Sequence, residues 1–427
     1  MTHTHDFVAV GLGPFNLGLA CLTEPLRQSG ELDGVFLEAR DRFDWHPGMM
    51  LDDATLQVPF LADLVTMADP TSPYSFLNYL KETGRLYSFY IRESFYPLRA
   101  EYNQYCQWAA DRLSTLRFGA AVSSVEHDGS AYVVTTSSGE VFRGRRLVLG
   151  VGAEPVAPEC LRGLGGPACH SAAYLQTKSA LQETRSITVV GSGQSAAEVY
   201  ADLLADCSPD TYELNWVTRS PRFFPMEYTK LTLEMTSPEY TSYFQGLTPE
   251  TRAGLLREQR SLYKGISSDT INAIFDALYT KQVHGGVPTT LLTSTAVTGA
   301  AWDGSAYDVD LHHTEVDESF RLRTESLVLA TGYAPKVPAF LDGVRDRITW
   351  GEDGRYAVSP TYAIAPDIYV QNGEEHTHGF VAPDLGMGAY RNSVLIAAML
   401  GREVYAVEKR IAFQEFGVPD RFRVGTA

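Results

Sequence analysis

The sequence predicts an α/β protein with two Rossmann-like dinucleotide-binding domains and a small, mostly helical subdomain. Three observations predict it. Two glycine-rich turns, starting at Gly11 and at Gly191, each follow an apolar strand and open a helix. Short apolar runs recur along the chain and are continuous rather than alternating, as in parallel strands buried on both faces. Between Tyr228 and Tyr279 the composition turns to Tyr, Thr, Glu and Gln with helical spacing.

Taken in order, the strands are Phe7 to Val10, Val35 to Leu37, Leu147 to Leu149, Ile187 to Val190, Leu214 to Val217 and Leu327 to Leu329. Ser130 to Ser137 reads as a hairpin with Gly139 to Arg143, and Ala306 to His312 as another with Glu318 to Leu322. Pro249 to Tyr263 and Asp269 to Tyr279 read as helices, with Pro249 suited to a first helical turn. The expected division is a first domain over 1–165 that resumes at 326–427, a second over 166–225 and 282–325, and a helical subdomain over 226–281.

With 427 residues, 44% of them hydrophobic, the chain can bury two or three domain cores. A net charge of -17 repels the phosphates of nucleic acid. Five cysteines with no C-x-x-C pair suggest neither a disulfide framework nor a zinc site, which fits a cytoplasmic protein. Met1 to Asp6 lacks the basic and apolar regions of a signal peptide, and no apolar run is long enough to span a membrane. The pairs His312-His313 and His376-x-His378 lack carboxylate or cysteine companions at ligand spacing, so no metal site is expected.

In the first glycine turn, Gly11 permits the tight bend and Gly13 lets the backbone approach a pyrophosphate. Pro14, Phe15, Asn16 and Leu17 open a helix whose N–H groups face the phosphates. Glu38 ends the next strand, where an acid binds ribose hydroxyls. The second turn is Gly191-Ser192-Gly193-Gln194-Ser195, and its following strand ends at Arg219 instead of an acid. A cation there suits the 2′-phosphate of NADPH. Two such turns in one chain imply an electron relay in which NADPH reduces FAD. Ala330-Thr331-Gly332-Tyr333 follows a later strand, with Gly332 placed to let the chain return toward the first domain.

These strings resemble the flavin-dependent N-hydroxylating monooxygenases of siderophore biosynthesis, the lysine and ornithine N-monooxygenases and their diamine relatives. Trp45-His46-Pro47-Gly48-Met49 and Ser75 to Leu80 look like further strings of that family, and the resemblance covers nearly the whole chain. It implies that FAD is held by the first turn, Glu38, Trp45, His46 and Gln57, with Thr331 and Gly332 beside it. It implies that NADPH is held by Ser192, Gln194, Ser195 and Arg219 within the second turn. It also implies that a flavin hydroperoxide performs the oxidation, with O₂ as co-substrate. The protein supplies geometry and excludes water, so no catalytic side chain is assigned. A homodimer or homotetramer is the oligomer the family suggests.

One departure bears on the substrate. Where the lysine and ornithine enzymes resemble L-Q-x-x-F-L-K-D-L, this chain reads Leu56-Gln57-Val58-Pro59-Phe60-Leu61-Ala62-Asp63-Leu64. The family's lysine pairs with the amino acid's carboxylate, and the methyl of Ala62 cannot. Losing such a partner costs about 2–5 kcal/mol, roughly thirty- to several-thousand-fold in affinity. The reading is a diamine, cadaverine or putrescine, hydroxylated at one amine for a hydroxamate siderophore. The alternative is L-lysine or L-ornithine, its carboxylate met by Lys264 or Arg391. A further alternative is an NADPH-dependent flavin reductase. The diamine's second ammonium needs an acceptor, for which Glu234, Asp269 and Asn272 are available in the helical stretch.

Overall fold

The computed structural model describes residues 3–423, so the first two residues of the polar start and the last four of the chain lie outside the described residues. Phe7–Val10, fully buried, is central in a six-stranded sheet. Its order is Ala363–Ala365, Ile368–Val370, Leu147–Leu149, Phe7–Val10, Gly34–Leu37, Leu116–Arg117, and all neighbours are parallel except the first pair. One face packs on the helices Pro14–Gln28, Arg99–Ala110 and Gly388–Leu400. The other packs on a four-stranded sheet that contains the predicted hairpin Tyr132–Thr136 with Val141–Gly144. Burial on both faces is why these strands are apolar without alternation.

The second sheet is wholly parallel, in the order Ala168–His170, Ser326–Leu329, Ser186–Val190, Glu213–Val217, Thr289–Leu292. The helix Gln194–Asp206 covers one face. The antiparallel sheet Thr295–Trp302, Tyr307–His313, Glu318–Thr324 covers the other and holds the second predicted hairpin.

Two expected boundaries move. Ser326–Leu329 pairs with Ile187 to Val190, so it closes the second domain and does not begin the return segment. The helix Ser268–Val283 places Ile274 in the core around Gln194–Asp206, so it belongs to the second domain and not to the helical subdomain. Sequence spacing identifies a helix but not the neighbour it packs on. What remains of the subdomain is Lys230–Leu233, Pro238–Gln245 and Pro249–Glu258, continued by the turn Gln259–Leu262. Tyr240 and Phe244 there pack on Phe380, Val381 and Met387 of the return segment.

The chain crosses between domains twice, and the two crossings pair as a ribbon, Ala153–Pro155 against Tyr333–Pro335. No helix among the described residues is long and apolar enough to cross a membrane.

Candidate active site

Both glycine turns are shaped to take a phosphate. Gly11 has φ +85°, and a Cβ there would lie 2.5 Å from Gly150 O; Gly191 has φ +155°, with Ala330 O at 2.3 Å from the same added atom. At Gly13, by contrast, an added Cβ would meet nothing within 4 Å. The backbone is therefore bare where a pyrophosphate would approach. Each following helix is capped by a glycine, Gly13 or Gly193, that offers no side-chain acceptor. Their first N–H groups are available to an anion, and Pro14 at the start of the first helix has none to spare. These cradles fit two dinucleotides.

The residues read as dinucleotide contacts divide into those that face the sites and those that brace them. Glu38 ends its strand beside the first turn, with Oε2 accepting from Leu12 N at 2.7 Å. Arg219 stands exposed past the strand Glu213–Val217 and makes no ion pair among the described residues, as a 2′-phosphate site requires. Ser192 and Ser195 are half-buried beside Gly193.

Asn16, Leu17 and Gln194 brace. Leu17 is core, and Asn16 donates to Gly11 O at 2.6 Å while accepting from Gln371 at 2.7 Å. Phe15 O accepts from Asn392 at 3.1 Å. Gln194 accepts from Ser267 N at 2.7 Å and donates to Glu198 at 3.0 Å and Thr270 at 3.1 Å. It ties the second turn to the helix Ser268–Val283. Thr331 donates its hydroxyl to Val156 O, and Gly332, φ +89°, accepts from Val156 N, so both hold the ribbon.

An aromatic group gathers around Trp45 and His46. Trp45 packs 5.3 Å from Tyr102, and its backbone N–H donates to Asn103 at 2.9 Å. His46, at φ +50°, lies 5.9 Å from Tyr333, which also lies 5.2 Å from His170. The His46 ring keeps an accessible face although protein surrounds it; desolvation, then Arg99 and Arg40, pulls its pKa down to about 4. It is neutral at pH 7. The carboxamide oxygen of Gln57 accepts from the Tyr228 hydroxyl at 2.9 Å, which leaves its NH₂ to donate elsewhere.

The substrate candidates separate clearly. Ala62 is buried, 6% exposed, in a turn where its N–H donates to Pro59 O. The neighbouring Asp63 accepts from Val65 N, Thr66 N, Thr66 Oγ1 and Phe76 N, so it knots this loop to the helix Phe76–Glu82. Arg391 does not serve as a carboxylate receptor. It is 1% exposed, pairs with Glu374 at 3.0 Å, donates to Ala382 O at 2.6 Å and lies 4.5 Å over the Phe15 ring. Lys264 is exposed, its backbone oxygen bordering Gly193 of the second turn and its ammonium 4.8 Å over the Tyr263 ring and 3.8 Å from Glu375. Glu234 is also spoken for, accepting the N–H groups of Phe413 and Gln414 from the C-terminal segment. Asp269 and Asn272 are exposed on the helix that belongs to the second domain. His376 and His378 accept other tasks, one bonded to Tyr356 O and the other stacked on Tyr362.

The family model described as L-lysine 6-monooxygenase/L-ornithine 5-monooxygenase matches residues 3–335. The chain belongs to this family. It is 48% identical to the putrescine N-hydroxylase of Shewanella oneidensis over 421 residues, covering 96% of this chain and 84% of that one. Among solved structures it resembles FAD-bound DfoA, the desferrioxamine biosynthetic pathway cadaverine monooxygenase from Erwinia amylovora. The TM-score is 0.94 at 52% identity, covering 98% of this chain and 100% of that one. The ornithine N-hydroxylase KtzI of Kutzneria sp. 744, with reduced FAD, NADP⁺ and L-ornithine, superimposes with TM-score 0.85 at 28% identity, covering 93% and 99%. The two-domain α/β architecture and the monooxygenase family are thus those the sequence predicts.

Sequence reasoning missed Tyr228, Glu198 with Arg99, and Asp384. Glu198 ends the second glycine string but its partner Arg99 does not show there, Tyr228 and Asp384 lie in no recognisable string, and each acquires its partner only through the fold.

Proposed function

We propose that this protein is an FAD- and NADPH-dependent monooxygenase that N-hydroxylates one primary amine of cadaverine or putrescine, supplying a hydroxylamine for a hydroxamate siderophore. The observation that carries the reading is Ala62, a buried methyl at the position where the amino-acid hydroxylases resemble one another in a lysine. The relatives named for putrescine and cadaverine support it.

FAD, reduced by NADPH and reoxidised by O₂, would supply the oxidising equivalent that adds oxygen to the amine nitrogen. The chain supplies placement. The first turn and Glu38 would hold the FAD pyrophosphate and ribose; Ser192, Ser195 and Arg219 would hold NADPH. Gln57, whose oxygen is held by Tyr228, would present its amide NH₂ to the flavin. Trp45, His46 and Tyr333 would line the reacting region with aromatic surface, which the bound cofactors would help close to water. Absence of the lysine disfavours an amino acid; of the alternative cations, Arg391 is sequestered by Glu374, and Lys264, exposed beside Glu375, is the one an amino acid would have to use. A cytoplasmic location and a homodimer or homotetramer complete the reading.

The test measures hydroxylamine formed per NADPH consumed by FAD-loaded protein, with and without cadaverine or putrescine. Diamine-dependent hydroxylamine approaching one per NADPH is the expected result. NADPH oxidation with no hydroxylamine under any amine would favour the reductase.

A further inference from the structure

We propose that Asp384 is the anionic receptor for the second ammonium of the diamine, and that with Ala62 it sets the substrate class. The inference rests on the diamine reading above and names the side chain that reading leaves unassigned.

Asp384 caps the short turn Leu385–Met387, and its Oδ1 accepts from Gly386 N at 2.7 Å. Its Oδ2 has no partner among the described residues and is not fully enclosed, so it is available to a donor. The carboxylate lies beside Ala62. At Gly386 one methyl-sized position separates them, 3.1 Å from Asp384 Oδ1 and 3.8 Å from Ala62 Cβ. A lysine at position 62 would extend its stem past this glycine and bring an ammonium to the carboxylate. The local charge would then be cancelled, so a substrate carboxylate would not be repelled. With alanine at 62 and aspartate at 384 it is negative, as suits an ammonium. The pair, not Ala62 alone, makes the pocket negative.

Of the other acids near the site, Asp269 stands exposed near Tyr228 on the second domain's helix, and the rest are occupied. Asp63 has four donors, Glu374 has Arg391 and Gly373 N, and Glu375 has the Tyr263 hydroxyl and Lys264. Glu234 holds the C-terminal segment. Arg391 is near enough to stabilise the Asp384 charge, but its guanidinium pairs with Glu374. Burial pushes the Asp384 carboxyl above the usual carboxylate range. An ionised group so placed is costly until a cation arrives, and an ammonium bound there recovers that cost.

The test uses the FAD-loaded enzyme with cadaverine, putrescine and n-pentylamine, the last having cadaverine's chain without the second amine. Asp384→Asn keeps an acceptor for Gly386 N–H and removes the charge. We expect the cadaverine-to-pentylamine ratio of kcat/KM to fall by about 30-fold or more, chiefly through KM. Calorimetric Kd for cadaverine on the oxidised enzyme should rise in parallel. If the unmodified enzyme hydroxylates diamines but the Asn variant keeps their advantage over pentylamine, Asp384 is not the receptor. If the unmodified enzyme hydroxylates neither diamine, the underlying reading fails, and this inference with it. Should the Asn variant not load FAD, Asp384→Glu serves instead. It should keep the diamine advantage and shift preference toward the shorter putrescine; an unchanged chain-length preference would overturn the assignment.

Discussion

His378 shows how burial fixes a protonation state. It is 1% exposed, stacked 4.4 Å from Tyr362 and bonded through Nδ1 to Thr377. Desolvation, then Arg391, His376 and Arg252, pulls its pKa down to about 3. The unfolded chain binds this proton near pH 6.5 and the folded chain does not. The contribution is therefore fully present above about pH 6.5 and is lost as pH falls from there toward 3. Buried Glu374, whose pKa is raised, contributes with the opposite sign, so a variant must isolate the histidine. Unfolding free energies from urea titrations at pH 7 and pH 5 should fall less in His378→Phe than in the unmodified protein. Parallel losses would show that His378 carries no such linkage. At this scale the sequence is legible where backbone shape decides the residue, as at Gly11, Gly13 and Gly191. It is illegible where a side chain's role depends on a distant neighbour. Asp384 meets Ala62 only because the return segment closes over the loop after Gln57, and no local pattern records that.

Among elements, the junction of the two domains is built from residues that sequence resemblance places at the flavin. Met49, 4% exposed, is part of the second domain's core, and a Cβ on Gly48 would lie 2.0 Å from Ala172 O. The Trp45-to-Met49 string is thus a plug that docks one domain on the other. Arg99 reinforces it, donating to Met49 O at 2.7 Å and to both oxygens of Glu198 at 3.0 and 2.8 Å. Glu198 in turn accepts from Gln194 of the second turn. With side-chain exposures of 12% and 8%, stranding one member of this pair should cost about 3 kcal/mol. Glu198→Gln should lower the Tm of the FAD-loaded protein and raise KM for NADPH. The double variant Arg99→Met with Glu198→Leu should recover most of the Tm. A single variant with unchanged Tm would remove the latch from the account. The glycine string that contains Glu198 is visible in sequence, but its partner is not, because Arg99 begins a helix in the other domain.

The whole molecule is two nested nucleotide-binding domains joined by a paired double crossing, with a small helical cluster resting on the return segment. The strand runs and both hairpins were legible because burial on two faces, or on one, leaves a pattern in the residues themselves. The misplaced boundaries arose where pattern is silent: Ser326–Leu329 and Ser268–Val283 are recognisable elements whose domain is decided by packing. At this scale the central claim is that the pocket accepts an amine chain and rejects its carboxylated form. Lysine is cadaverine with a carboxylate added, so a direct competition isolates that one group. FAD-loaded enzyme given equal concentrations of cadaverine and L-lysine, with the two hydroxylamines counted by mass spectrometry, should yield the cadaverine product in about thirtyfold excess or more. Equal amounts, or an excess of hydroxylated lysine, would contradict the account.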